Sequence, residues 1–384
     1  MSNIYKAANG LEMDLDYKPD VFVEDIEKLS NDEWLEKRRT GIGGSDYGVL
    51  YGLSPFNTTK DLYLDKVGLK ERLPEGEEDN WAAKEIGHRL EEVVAMIFYK
   101  KTGIQPYAVR KMFRHPKYYW MLADVDYFVD IPDRDGNMRT YILEIKTTAF
   151  NNKDKWGTEF SPAVPYTYQL QTRSYCAVCN VSGVIICCLF DNNENSLFIR
   201  RVDRDLDIEA EIIEAGRNFW QNNVEKRIEP VYTEDGDMIL KSVRNRLRNV
   251  SKINNLELDG DDTVENGDEE YTLEELVDKY FEYSKEKSKY EKKRMEYESQ
   301  MKKIQAFIET KTNVSEGLII LNDNAEKNCQ IKYSKRCRTS INKESLEKMQ
   351  IVDKELYDEL VGKGYLTTSE CNIFKPKYVR KGND

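Results

Sequence analysis

Histidine is almost missing, with two residues in 384. Cysteine is scarce too, with seven. So few imidazoles leave a zinc site poorly supplied. Cys176 and Cys179 form a C-x₂-C and Cys187 and Cys188 are adjacent, but all four lie in apolar text, where buried thiols of a reducing compartment are expected. No apolar run approaches ~18 residues and no signal-like segment opens the chain, so a soluble protein of the cytoplasm is expected. Internal repeats are lacking as well. Charge, by contrast, is plentiful: 70 acids against 58 bases give −12. That total argues against blanket nucleic-acid binding. It is a local effect, however. Residues 257–275 hold ten acids and no Lys or Arg, so the remainder is close to neutral and has room for basic patches.

The length and a 40% hydrophobic content allow one sizeable domain with additions. Residues 1–30 read as a leader with little pattern. Residues 31–232 alternate helix and strand signals. A helix capped by Thr58 or Thr59 ends before Gly68, and a longer one spans roughly 80–102 and stops at Gly103. Two strands follow around the turn formers "PDRDGN". Residues 166–179 read as a helix, "SGVIICCLF" as a buried strand and "IEAEIIEAGRNFWQNNV" as an amphipathic helix. Residues 233–270 read as an acidic linker. Residues 271–313 form a long helical arm, in which Leu276, Tyr280, Tyr283, Lys287, Tyr290, Arg294, Tyr297, Met301 and Ile304 step by three and four as a heptad seam. Packing on its own chain and an intermolecular coiled coil both fit that seam. Residues 314–384 read as strand, strand, helix and strand, a small C-terminal α/β lobe.

Two strand-like stretches carry charge where a sheet normally buries apolar groups: "MLADVDYFVD" (121–130) and "YILEIKTTAF" (141–150). Alternation puts Tyr141, Leu143 and Ile145 on one face and Ile142, Glu144 and Lys146 on the other. A hairpin with an odd-sized loop near Asp135 brings Asp126 opposite Glu144 or Lys146. For any acid-x-Lys triplet the default is a solvated face with an ion pair worth under ~1 kcal/mol. Other features shift that balance. Glu91 edges the apolar stripe of Val94 and Phe98, an expensive place for a carboxylate without a positive partner. The stretch "RRTGIGGSD" (38–46) is a Gly-rich turn opening a short helix that Ser45 or Asp46 can cap, and Arg39 can add a bidentate phosphate contact. Together these parts suggest a hard divalent cation held by oxygen ligands beside a phosphate site.

Five blocks in this order, "RRTGIGGSDYGVLYGLSPFNTTKDLYLDKVG", "GHRLEEVVAMIFYKKTG", "MLADVDYFVD", "LEIKTTA" and "YTYQLQTRSY", resemble the YqaJ-type viral recombinase family, related to lambda exonuclease within the PD-(D/E)XK nuclease superfamily. A looser likeness covers "QIKYSKRCRTSINKESLEKM" through "IFKPKY". The resemblance implies an α/β fold with a PD-(D/E)XK core, a central mixed sheet flanked by helices, to which the arm and C-terminal lobe are appended. It implies Asp126 and Glu144 as metal-binding acids, joined by the Ile145 carbonyl, with Lys146 as the catalytic lysine and Glu91 as the helix carboxylate. Gln169 and Tyr166 match a supporting Tyr-x-x-Gln motif, while Arg39 and Ser45 match residues gripping a DNA phosphate. The family's Asp-Gly reads Asp126-Tyr127 here, a departure at the following turn.

The implied activity is Mg²⁺- or Mn²⁺-dependent 5′–3′ degradation of double-stranded DNA in homologous recombination. A single-strand annealing protein is the implied partner, a trimer the implied assembly and the host cytoplasm the location if the gene is a phage's. Lys146, flanked by two carboxylates, is expected to stay charged and to orient water and offset charge on the phosphate. Competing readings are a restriction- or defence-type PD-(D/E)XK endonuclease and a non-catalytic DNA-binding scaffold. An iron–sulfur nuclease needs four ligating Cys around the core, and their spacing here offers no such set.

Overall fold

The computed structural model describes residues 3–70, 81–158, 161–191, 193–247, 258–267, 269–312, 317–321, 329–333, 346, 349 and 353–363. The chain divides into two compact units, Met1–Leu256 with Asn266–Glu269, and Glu257–Glu265 with Glu270–Asp384. The first is a mixed α/β structure. Its strands are β1 (Ile4–Lys6), β2 (Glu12–Asp14), β3 (Asp20–Val23), β4 (Met112–Arg114), β5 (Leu122–Asp124), β6 (Tyr127–Pro132), β7 (Met138–Thr148), β8 (Gly183–Phe190) and β9 (Leu197–Asp203). Its helices are α1 (Asn31–Arg39), α2 (Asp46–Leu50), α3 (Thr59–Lys66), α4 (Trp81–Thr102), α5 (Tyr166–Cys179), α6 (Leu206–Asn218) and α7 (Gly236–Arg246).

The central sheet has the order β6-β7-β8-β9, with β7 and β8 parallel and the outer pairs antiparallel. Every residue of β8 is buried, as a strand covered on both faces requires. The two faces of β7 enter different cores. Leu143 and Ile145 pack with Val94, Ala95 and Phe98 of α4, while Ile142 joins the larger core beneath α5 and α6. The expected helices end where their caps dictate. Thr58 and Asp61 form a capping box at α3, and Gly103 takes φ +73° just after α4. The thiols of Cys176, Cys179, Cys187 and Cys188 are free and buried. Among the described residues no helix is long and apolar enough to cross a membrane.

Three stretches differ from their sequence reading. Of the stretch read as a leader, 1–30, the described residues 3–30 are built into the first unit: β1 and β2 form a hairpin, β3 pairs with β4, and the Asn180 side chain donates to the carbonyls of Leu15 (3.0 Å) and Tyr17 (2.8 Å). Strands of three and four residues are too short to show an alternation. The stretch read as an acidic linker begins with α7, docked through a buried bond from Ser242 Oγ to Asp61 Oδ1 (2.8 Å). The stretch 121–130 is not one strand. β5 belongs to a three-stranded sheet with β3 and β4, and the chain crosses into the central sheet between Asp124 and Tyr127.

The second unit contains α8 (Leu273–Thr312), preceded by the hairpin strands β10 (Thr263–Asn266) and β11 (Glu269–Thr272). The antiparallel pair β12 (Gly317–Leu321) and β13 (Cys329–Tyr333) and the helix α9 (Lys354–Gly362) follow. The final strand expected of the C-terminal lobe lies outside the described residues.

Candidate active site

Pairing of β6 with β7 runs from Pro132↔Met138 to Tyr127↔Leu143. One step further, Asp126 leaves the ladder, and its Oδ2 accepts the Ile145 backbone N–H at 2.8 Å. The N–H and C=O of a strand residue point the same way, so the Ile145 carbonyl faces the same open end of β6. Glu144 and Lys146 lie on the opposite face of β7 from Ile145. Glu144 is buried, 3% exposed. Its Oε1 accepts Lys146 Nζ at 2.6 Å and Gln171 Nε2 at 2.7 Å, whereas its buried Oε2 has no hydrogen-bond partner. These groups, with Glu91, line one groove of 1380 Å³ in the first unit.

Charge in this groove is unbalanced by burial. Desolvation, then the neighbouring Glu144, pushes the Asp126 carboxyl well above the ordinary aspartate range. Burial works to lower the Lys146 pKa, but Glu144 and Asp126 outweigh it and hold the ammonium above the usual lysine value. The Tyr168 ring lies 5.4 Å from Lys146 Nζ. Glu91 is raised as well, by burial first, opposed by His88, whose Nδ1 is 3.4 Å from its Oε1. Among the described residues no three His, Cys, Asp or Glu side chains form a ready metal cluster. The inward donors are two carboxylates and one backbone carbonyl.

The Gly-rich turn lines the groove as well, through Gly43, Gly44 and Ser45. Ile42 bridges to Met121, accepting from Leu122 N–H and donating to Trp120 O. Asp46 Oδ2 accepts from Gly43 N–H (2.9 Å) and Lys66 Nζ (2.8 Å), so Asp46 fixes the turn and Ser45 makes no cap bond. A Cβ on Gly44 would stand 2.5 Å from the Tyr175 ring and 3.1 Å from Gln171 Cγ. Glycine there lets the turn lie against α5.

Glu91, Asp126, Glu144, Ile145, Lys146 and Ser45 therefore share the groove. Three expected residues do not. Arg39 turns away to Asp65 (3.2 Å) and Glu36 (2.8 Å), and its neighbour Arg38 enters, reaching Ser45 Oγ at 3.3 Å and stacking over Trp34 at 5.0 Å. Trp34 and Arg38 are four apart on α1, which decides between the two arginines. Gln169 donates to the Val164 carbonyl (2.9 Å) and accepts from Arg173 (2.8 Å), and Tyr166 is 45% exposed. Gln171 takes the place at Glu144 and also bonds Tyr175 Oη at 2.9 Å. The stretch "YTYQLQTRSY" contains Tyr-x-x-Gln twice. The helical spacing of Tyr168, Gln171 and Tyr175 singles out the second copy.

In sequence, the chain is 32% identical over 203 residues to the uncharacterized protein YqaJ of Bacillus subtilis (strain 168), a match covering 51% of this chain and 57% of that one. Among solved structures, an alkaline exonuclease from Laribacter hongkongensis is 18% identical, with 56% of this chain and all of that chain covered at a TM-score of 0.41. A phage related exonuclease from Haemophilus somnus 129PT is 13% identical, with 49% and 96% covered at a TM-score of 0.31. Over residues 33–182, the stretch that carries Arg38, Glu91, Asp126, Glu144, Lys146 and Gln171, the chain matches the YqaJ-like viral recombinase domain family.

Proposed function

We propose that the groove hydrolyses phosphodiester bonds of double-stranded DNA from an end, as a metal-dependent exonuclease built on a PD-(D/E)XK core. The observation that carries this reading is Glu144: a buried carboxylate with one oxygen held by Lys146 and Gln171 and the other unpartnered. A buried lone pair costs about 1–3 kcal/mol if nothing meets it. With the Asp126 carboxylate on the adjoining strand end and the Ile145 carbonyl facing the same opening, the donors are all oxygen, the set a hard divalent cation takes. The donor chemistry fits Mg²⁺ or Mn²⁺, held by Asp126, Glu144 and the Ile145 carbonyl.

When bound, such an ion supplies positive charge that polarises the scissile phosphate. The side chains do the rest. Lys146, pinned to Glu144 at 2.6 Å and kept charged by two carboxylates, holds an ammonium where negative charge grows on the phosphate. Gln171 fixes the Glu144 rotamer, and Arg38 beside Ser45 presents a guanidinium to a backbone or terminal phosphate.

Linear duplex DNA is expected to be degraded with Mg²⁺ and spared with chelator, and covalently closed circles to survive. Lys146→Ala lowers the linear-substrate rate by about 10²–10³-fold. Undiminished cleavage by that variant rejects the site assignment, and cutting of closed circles turns the reading to an endonuclease.

A further inference from the structure

We propose that α8 is a self-association helix, through which two copies of the chain pair as an antiparallel two-stranded coiled coil. The proposal is independent of the nuclease reading. It starts from large side chains left in water. Tyr283 and Tyr290 are each 72% exposed, Tyr297 62%, Met301 68% and Ile304 59%. They lie on one seam of a 40-residue helix at alternating steps of three and four. A helix face this apolar is ordinarily buried. Nucleic acid is a poor occupant, because ten Lys and Arg are matched by nine Asp and Glu along α8.

The two cations in the seam, Lys287 and Arg294, choose the partner and its direction. In a parallel, in-register pair each faces its own copy, stacking like charges in the core, and Glu286 meets Glu291 of the other copy. Reversing the second helix removes both conflicts. In the register that sets Lys287 against Tyr290, Arg294 meets Tyr283 and Tyr280 meets Tyr297. Leu276 then meets Met301, and Leu273 meets Ile304. Each cation thus lies against an aromatic ring, a favourable contact once water leaves. On the flank Glu286 meets Lys293 twice, by symmetry, and no like charges face one another. Shifting the register by one heptad toward the C-terminus sets Glu291 against Glu291 and Lys293 against Lys293. One arrangement therefore satisfies the seam and the flanks together. The existing pairs of Arg294 with Glu291 and of Lys289 with Glu286 are exposed and weak, so they offer little resistance.

The size is sufficient. Six exposed seam side chains per helix, Tyr280, Tyr283, Tyr290, Tyr297, Met301 and Ile304, each giving up on the order of 100 Å², bury about 1,200 Å² across two helices, to which the stems of Lys287 and Arg294 add, the lower range of a stable interface.

Sedimentation equilibrium of the full chain tests this. Wild type is a dimer at tens of micromolar. Glu286→Lys and Lys293→Glu, each alone, weaken it about five- to tenfold, because each now sets like charges against each other twice. Mixed in equal amounts, the two variants form a heterodimer of wild-type strength. Tyr283→Ser/Tyr290→Ser/Tyr297→Ser is monomeric, and its far-UV circular dichroism retains the wild-type helix signal. A monomeric wild type overturns the proposal. So does tighter association of Glu286→Lys, which is the parallel outcome, or an oligomer, trimer included, whose mass the triple variant leaves unchanged.

Discussion

The core strand β7 and the helix α8 invert the usual partition in opposite senses. In β7 a carboxylate and an ammonium are withdrawn from water, and on α8 tyrosines are left in it. Both arrangements raise the free energy of the isolated chain, and on the two readings proposed above each is relieved by something brought from outside. The remedy differs with the physics. A buried oxygen lone pair asks for a small, charged, directional ligand, whereas an apolar seam asks for area. His115 supplies a third case for contrast. It is as buried as Glu144, yet its Nδ1 accepts two backbone N–H groups, from Lys117 (3.0 Å) and Tyr118 (3.1 Å), so it needs no further partner.

The comparison breaks first if Glu144 and Lys146 turn out to be structural. Replacing a buried ion pair by apolar side chains of similar volume is neutral or stabilising, by up to ~4 kcal/mol. Glu144→Met/Lys146→Met is therefore expected to match or exceed the wild type in urea unfolding while losing cleavage by more than about 10³-fold. A destabilised double variant with ordinary nuclease rates would make the pair part of the scaffold.

His115 sharpens the contrast at the next level. Burial, then Lys117 and Arg204, lowers its pKa from 6.5 to about 4. A depressed folded pKa means that the stabilisation is present above pH 6.5 and is lost as the pH falls through 4. The expected loss specific to this side chain is about 3 kcal/mol. His115→Asn, which keeps an acceptor for both N–H groups, should lose correspondingly less between pH 7 and 4. Parallel unfolding curves for the two proteins over that range would show that His115 titrates normally.

The smallest effect separates neighbours on α5. Gln171→Ala removes a bond to Glu144 and should slow cleavage about tenfold, and Gln169→Ala should leave the rate within twofold. Reversed results would restore the first Tyr-x-x-Gln to the site.

Much of the architecture was legible because it obeys strong periodic signals. Helices α4, α5 and α8 and strand β8 follow from pattern and from terminal residues such as Gly103. The alternation of Ile142, Glu144 and Lys146 likewise follows from the two-residue repeat of a strand. Spacing could not reveal that this charged face is covered, since period two tells which residues share a side and not what lies over it. Arg38 and Gln171 escaped for a related reason. Each has a chemically equivalent neighbour one or two residues away, and only the rotation of a helix against the sheet separates them. The docking of the β1-β2 hairpin, through Tyr5 and Ala8 on Asp207, and of α7, through Ser242 on Asp61, rests on contacts between residues far apart in the chain, which no local window contains.

The crossing between the two sheets has a mechanical result. Asp124 ends the β3-β4-β5 sheet and holds Trp34 of α1 at 2.7 Å, and Asp126, two residues on, grips β7. Trp34 in turn underlies Arg38. The Arg38 guanidinium and the carboxylates of the groove are thus tethered to two residues, Asp124 and Asp126, with only Val125 between them. That tether acts as a ruler: the spacing between the Arg38 guanidinium, proposed above to meet a phosphate, and the carboxylates follows from a short piece of backbone and the side-chain contacts at its two ends.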